Sequence, residues 1–479
     1  MKQFKNRLLS FSLACIIASL AMSGCGGNSE SSAVKSYTSA PAVSSDSRAV
    51  RAYSSVVSSV GGSPVYFSGT RLFVIKDDDS VEMVQVGNGV QYKEKAAGSE
   101  ALNEFVFSIG NSVAADTDAY GTYLDNSMDI YHWNLTDLKA VSEEVLVPAA
   151  TVKEFIAKRA MDNGLDEKSA KEMAEDKGTD LLLGSGFING GDGYLYKSLN
   201  AFVEDQGTVD AVAFGVMKIS LDGKEMSFID DLRAGSLAVG NGFIYYYDPG
   251  YTYDPKSGSV TFDSSKAGLY RALADGSKKT ALISGIQATS STDLWSDKMK
   301  NTLKNLRLIN TELFYIDNSE NGDNCLYKLS TDGGTPEKVS ENKCDNYYYD
   351  REGHTLYYFG EDALWSRNMD TGEETELLKR FSESVYTGGE VMAVYGGYLY
   401  FADADRYSGV SYLKEGEPYY YAHICGERFN LKTEELEDLY YYSYYTKTET
   451  DSSGAEIYSD AKAPQITWGK VATQKTTSR

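Results

Sequence analysis

Asp317-Asn318-Ser319-Glu320-Asn321-Gly322-Asp323 sets oxygen-bearing side chains at alternate positions and a glycine at the sixth. Hard cations such as calcium need several oxygen ligands, and a glycine permits the sharp turn that gathers them. Asp317, Ser319, Asn321 and Asp323 are therefore the candidate metal ligands. Position twelve of this run is Lys328, where a bidentate glutamate is needed, and the run lies between the strand-like segments LFYI and CLYKL. A polar hairpin turn is the plainer reading. Calcium is the one cofactor the chain raises; otherwise none is expected. Asp77-Asp78-Asp79 and the pair Asp403 and Asp405 are weaker carboxylate groups that solvated turns also explain.

Hydrolysis needs an acid/base pair or a nucleophile beside a positioned base. The histidines are His132, His354 and His423, and none stands in a Gly-x-Ser-x-Gly or His-Glu-x-x-His context. The 69 acidic residues leave room for a glycosidase-like pair, but sequence does not give carboxyl separations. No catalytic residue is assigned. Of five cysteines, Cys325, Cys344 and Cys425 lie in the body of the chain. Two readings stay open: a Cys325–Cys344 bridge between neighbouring strands with Cys425 free, or three thiols.

Aromatic rings are the remaining candidate, with 37 tyrosines in 479 residues. In consecutive runs, alternate rings face opposite sides of a strand. Tyr419, Tyr420 and Tyr421, then Tyr440, Tyr441, Tyr442, Tyr444 and Tyr445, exceed what repeat packing demands. Packing between blades is the plainer reading of these rings, and they are also the candidate ligand-binding set, since a rigid aromatic surface suits peptides or sugars.

These residues must be carried by something. The chain opens with basic MKQFKNRLL and the apolar run SFSLACIIASLAM, too short for the usual membrane span, ending at Ser23-Gly24-Cys25-Gly26. This resembles the bacterial lipoprotein cleavage box. The resemblance implies that 1–24 is a signal peptide and that Cys25 is lipidated, anchoring the chain by its acyl groups to a membrane of the bacterial cell envelope, outside the cytoplasm. Residues 25–60 are rich in serine and alanine and read as a flexible spacer. The net charge of −23 argues against nucleic acid as a partner and against direct adhesion to anionic lipid.

Beyond the spacer the chain repeats. VGNGFIYYYDPG is followed by AGLYRALADGSKKTALI, LINTELFYIDN by CLYKLSTDGGTPEKV, and VYGGYLYFAD begins another copy. The unit is a glycine-bearing turn, an aromatic strand, a loop, Leu-Tyr-Lys/Arg, an Asp-Gly turn and a last strand. Phe314, Tyr357 and Tyr400 follow one another at steps of 43 residues. That period, with four short strands, predicts an all-β chain: a β-propeller of about five to seven four-stranded blades, six being the best fit, over 61–446. A helical insertion is expected at about 148–177, with Thr151 and Glu154 as a capping box. The tail 447–479 reads as polar, and either loose or lying partly along the surface. Gly242-Phe243-Ile244-Tyr245-Tyr246, Leu269-Tyr270-Arg271 and Asp275-Gly276 resemble bacterial members of the propeller family described as like that of the low-density lipoprotein receptor-related protein. The resemblance implies fold and not chemistry. The functional expectation is a propeller scaffold that binds an extracytoplasmic protein, peptide or glycan. The alternatives are a structural or assembly factor of the envelope, and a propeller hydrolase using rim carboxylates.

Overall fold

The computed structural model describes residues between 59 and 470, except 86–91, 96–108, 137–141, 184–186, 230–235, 287–302, 380–389, 403–410, 414–418, 451–454 and some positions in turns. Cys25 and the long loop expected around 284–304 fall largely or wholly outside them. Among the described residues six four-stranded antiparallel sheets follow one another along the chain, the blade architecture expected. They span 59–85, 109–147, 188–229, 236–284, 303–338 and 346–379. A seventh, larger sheet takes the residues from Glu390 to Lys470 and adds the strand Tyr92–Lys95 at its edge.

The sheets form a ring. The opening strands of successive blades touch one another, as Ile188–Asn189 meets Ile109–Ala115 on one side and Ser236–Gly240 on the other. Side chains on these strands tie neighbours together. Ser236 Oγ donates to Leu303 O at 2.6 Å, Asn305 Nδ2 to Asp345 O at 3.0 Å, and Tyr347 Oη to Asn305 O at 2.7 Å. The seventh sheet packs against the sixth blade and also against the first, which closes the circle.

Local chemistry accounts for two of the hairpins. Gly240 pairs with Phe243, leaving only Asn241 and Gly242 in the loop, at φ 57° and 78°. Two positive φ values define the type I′ turn that matches strand twist, and Asn-Gly is the pair that adopts it most readily. Gly396 and Gly397 do the same between Tyr395 and Tyr398. The 43-residue step is structural: Phe314, Tyr357 and Tyr400 are each the third residue of the second strand of their sheet.

Hydrophobic cores lie between blades and not within them. Along Thr355–Phe359, Leu356 and Tyr358 face Phe314, Ile316 and Leu326 of the fifth blade, while Tyr357 and Phe359 face Leu399, Phe401 and Phe429 of the seventh sheet. The period-2 alternation thus buries both faces, which an isolated blade could not do. Tyr347, Leu356, Tyr358 and Leu364 are fully buried, and Tyr349 is partly buried against the same core.

The insertion forms two helices, α1 (Ala149–Asp162) and α2 (Glu167–Leu183). Val152, Ile156, Ala157 and Ala160 of the first, with Ala170 and Ala174 of the second, pack among Tyr120, Ile130, Val147, Leu195, Leu199 and Met217. The hairpin is a wedge between the second and third blades. The capping box is corrected: α1 starts at Ala149, two residues before Thr151, and its N-cap Pro148 makes no side-chain cap. Asp129, from the second blade, accepts the Ala149 N–H at 2.7 Å instead. A carboxylate brought by the fold meets the helix N-terminus, where the orphan N–H groups and the dipole favour it. Residues 447–450 continue the strand Leu436–Thr450, and Ala455–Lys470 pairs with that strand in turn, so most of the segment read as a polar tail belongs to the seventh sheet.

Candidate functional site

The seventh sheet has longer strands than most of the others, and only the third blade, with strands of 12 and 13 residues at Tyr194–Asp205 and Thr208–Ser220, approaches it among the described residues. The seventh sheet's strands Tyr419–Asn430, Leu436–Thr450 and Ala455–Lys470 have 12, 15 and 16 residues, whereas Thr355–Phe359 of the sixth blade has 5. The inner halves close the ring and the outer halves continue past it. All eight candidate tyrosines lie on this sheet, in two neighbouring strands. Register places Tyr419 opposite Tyr445, Tyr420 opposite Tyr444, Ala422 opposite Tyr442, His423 opposite Tyr441 and Ile424 opposite Tyr440. Positions directly opposite share a face and successive ones alternate. Tyr419, Tyr421, Tyr441 and Tyr445 therefore occupy positions on one face, and Tyr420, Tyr440, Tyr442 and Tyr444 on the other. Tyr440 is partly buried and donates to Asp438 Oδ2 at 3.1 Å, which makes it a structural ring at the root of the extension.

The Asp317–Asp323 segment forms a hairpin turn. Asp317 Oδ1 accepts the Ser319 N–H at 3.0 Å, and Asp323 Oδ1 accepts the Cys325 N–H at 3.0 Å. Asp323 Oδ2 takes the Lys338 ammonium at 2.8 Å and the Tyr327 hydroxyl at 3.2 Å. Burial pushes the Asp323 carboxyl up, but Lys338 and the Cys325 N–H outweigh it and the net shift is downward. Gly322 is needed for the turn itself, since a Cβ there would stand 2.4 Å from Asp317 O. A cation would have to displace Lys338 to use Asp323. Asn321 lies outside the described residues. Among the described residues no three His, Cys, Asp or Glu side chains are placed to hold a metal ion. Cys325 and Cys344 are both buried and carry free thiols.

One cluster was not visible in the sequence. His132 Nδ1 lies 2.7 Å from Glu144 Oε1 and Nε2 lies 2.8 Å from Asp118 Oδ1, with Tyr120 stacked on the ring at 4.9 Å. Burial lowers the His132 pKa, yet the bonds to Glu144 and Asp118 outweigh it and the net shift is upward. Burial, then the charges of Asp118 and Glu144, push Tyr120 up to about 12. A carboxylate on each ring nitrogen favours the protonated form of His132, and that form offers no lone pair for base catalysis. It works as an ionic staple across three strands. His132 sits opposite both Tyr120 and Glu144 in the ladder, so only the register could have revealed it.

Basic residues of the repeat have a second role. Arg271 donates to Thr331 O at 2.9 Å and Asp332 Oδ1 at 3.1 Å, in the Asp-Gly turn of the next blade. Lys218 reaches Ala274 O at 3.4 Å, in the equivalent turn one blade earlier. The third-strand cation and the Asp-Gly turn, which recur together in sequence, are two halves of an inter-blade latch. Lys328 of the fifth blade and Arg367 of the sixth instead pair with glutamates in their own sheets.

The arrangement of sheets defines a β-propeller. No family model matches the sequence, and no curated protein matches it. Solved structures that are similar to it include one titled as a nidogen/laminin complex, at 13% identity and a TM-score of 0.33, covering 65% of this chain and 89% of that one. Another is a puromycin hydrolase S511A mutant, at 11% identity and a TM-score of 0.43, covering 88% of this chain and 61% of that one. TolB from Acinetobacter baumannii is similar at 10% identity and a TM-score of 0.27, covering 76% of this chain and 81% of that one. The chain therefore spans about three-fifths of the hydrolase.

Proposed function

We propose that the chain is a lipid-anchored propeller that binds a protein, peptide or glycan outside the cytoplasm, using the tyrosine-rich extension of its seventh sheet. The observation that carries this is the concentration of tyrosines on two long neighbouring strands of that sheet. Its outer strands continue past the ring and concentrate tyrosines at Tyr419–Tyr421 and Tyr441–Tyr445. Aromatic rings on a rigid sheet give large contact area at small conformational cost, the property that peptide and sugar recognition needs. Cys25, after its basic and apolar leader, supplies the tether, and the spacer to residue 60 gives the propeller reach. The low-density lipoprotein receptor-related likeness of the repeats fits an extracellular module.

The test uses insoluble peptidoglycan sacculi and an arrayed random-peptide library as probes. Wild-type protein is expected to be retained on one of them, and Y420S/Y442S/Y444S or Y419S/Y421S/Y445S to lose that retention at least tenfold with an unchanged melting temperature. Retention equal to wild type in both triple variants overturns the assignment. Cys25→Ala is expected to move the protein from the membrane fraction to the soluble one.

A further inference from the structure

The two buried thiols lie at one blade junction. Cys325 immediately precedes the third strand of the fifth blade, Leu326–Ser330, and Cys344 stands just before the opening strand of the sixth, Asn346–Asp350. The Cys344 N–H donates to Asn324 O at 2.7 Å. That one bond limits the distance between the cysteines. A carbonyl oxygen lies about 2.8 Å from the next Cα across a planar trans peptide, and a backbone nitrogen lies about 1.5 Å from its own Cα. Adding these to the 2.7 Å hydrogen bond puts the Cα atoms of Cys325 and Cys344 no more than about 7 Å apart. Bends at the oxygen and at the nitrogen shorten the separation further, into the span of about 4.4–6.8 Å that disulfides occupy.

The surroundings leave few other roles for these thiols. Cys325 and Cys344 are 3% and 2% exposed. Cys325 Sγ approaches Asp323 O and Glu341 O, each at 3.8 Å, and Cys344 Sγ approaches Asn346 O at 3.6 Å. Burial pushes the Cys325 thiol up to about 11 and Cys344 well above its usual value. Thiolate, the attacking species, is therefore scarce once the blades have closed.

We propose that Cys325 and Cys344 are a disulfide pair that bolts the fifth blade to the sixth, formed by exchange with an oxidised dithiol or glutathione disulfide before the junction is buried. One thiolate attacks the oxidant's sulfur and releases one reduced thiol. The second then attacks the mixed disulfide and releases the other, so the protein loses two hydrogens and the oxidant gains them. The bridge closes a loop from 325 to 344, which narrows the unfolded ensemble. The pair stands on main-chain geometry and is independent of the binding reading.

Peptide mapping of the full chain tests it. Protein refolded in a glutathione redox buffer is unfolded in guanidinium, alkylated without reductant and digested with trypsin. The expected product is one peptide pair, Leu308–Lys328 joined to Cys344–Arg351, about 2 Da lighter than the two reduced peptides together, with Cys425 alkylated. The bridged form is expected to melt several degrees above the reduced one. Cys425→Ser should leave the linked pair intact, and Cys325→Ser should leave Cys344 fully alkylated. Alkylation of both Cys325 and Cys344 in wild-type protein after oxidative refolding, or a bridge to Cys425, overturns the proposal.

Discussion

Lys218, Lys279 and Arg428 each lie across two aromatic rings. Lys218 stands 4.0 Å from the Tyr194 centroid and 5.4 Å from Tyr196, Lys279 4.3 Å from Tyr270 and 5.5 Å from Tyr246, and Arg428 4.1 Å from Tyr398 and 4.2 Å from Trp468. Part of the tyrosine excess is thus absorbed by cation–π packing within single sheets. The recurrence of Leu-Tyr-Lys/Arg made Arg271 legible, but its reach to Thr331 in the next blade depends on the ring and was not. Arg271→Met removes the donor to Thr331 O and the contact over Phe243, and is expected to cost about 1–3 kcal/mol in urea unfolding. Lys224→Met, at an exposed pair with Asp222, should leave the midpoint unmoved. His132 gives a pH dependence. Its folded pKa is raised, so the stabilisation is complete below the unfolded value of about 6.5 and is lost as pH rises through the higher folded value. Wild-type protein should therefore exceed His132→Asn in melting temperature by more at pH 5.5 than at pH 9. An equal gap at both pH values would remove the staple. Asp118, His132 and Glu144 are remote in sequence, which is why no motif announced them.

At the scale of elements, legibility follows how local the deciding interaction is. Asn241-Gly242 and Gly396-Gly397 declare their turns in two residues, because only residues tolerant of positive φ fit. The helical insertion was legible from its apolar stripe and from Gly164, which sits at φ 98° between α1 and α2. Its cap was not, because Asp129 reaches Ala149 from another blade. Ile156 is fully buried between the second and third blades. Ile156→Ala is expected to cost about 2–5 kcal/mol, the range for emptying a well-packed aliphatic site, measured as a shift in urea midpoint at constant slope. A loss below 1 kcal/mol would mean the wedge packs loosely. Ala455–Lys470 was illegible for the opposite reason. Its composition is polar, it carries Pro464, and only pairing with Leu436–Thr450 makes it a strand.

For the whole molecule the question is how the ring is held shut. The seam between the last sheet and the first joins Ile75 and Val81 of the first blade to Tyr400, Leu439, Ile466 and Trp468 of the seventh sheet. Ile466 and Trp468 come from the strand Ala455–Lys470, and Trp468 meets Tyr400 edge-on at 6.2 Å. The same strand pairs through Ala455–Tyr458 with Tyr92–Lys95, a segment that lies in sequence between the first and second blades. The end of the chain thus clasps its beginning twice, once by side-chain packing and once by main-chain pairing. A chain ending after Thr450 keeps the four neighbouring strands that a blade requires, Glu390–Tyr395, Tyr398–Ala402, Tyr419–Asn430 and Leu436–Thr450, but loses both clasps. It is expected to melt well below the full chain and to be cut by a nonspecific protease within the first blade before the fifth or sixth is touched. Trp468→Ala in the full chain removes only the packing half and should fall between the two, at a loss of about 3–5 kcal/mol. Were the truncated chain to match the full one in midpoint and protease resistance, closure would rest on the four-stranded part of the seventh sheet alone, and the long strands beyond it would be free to serve binding only.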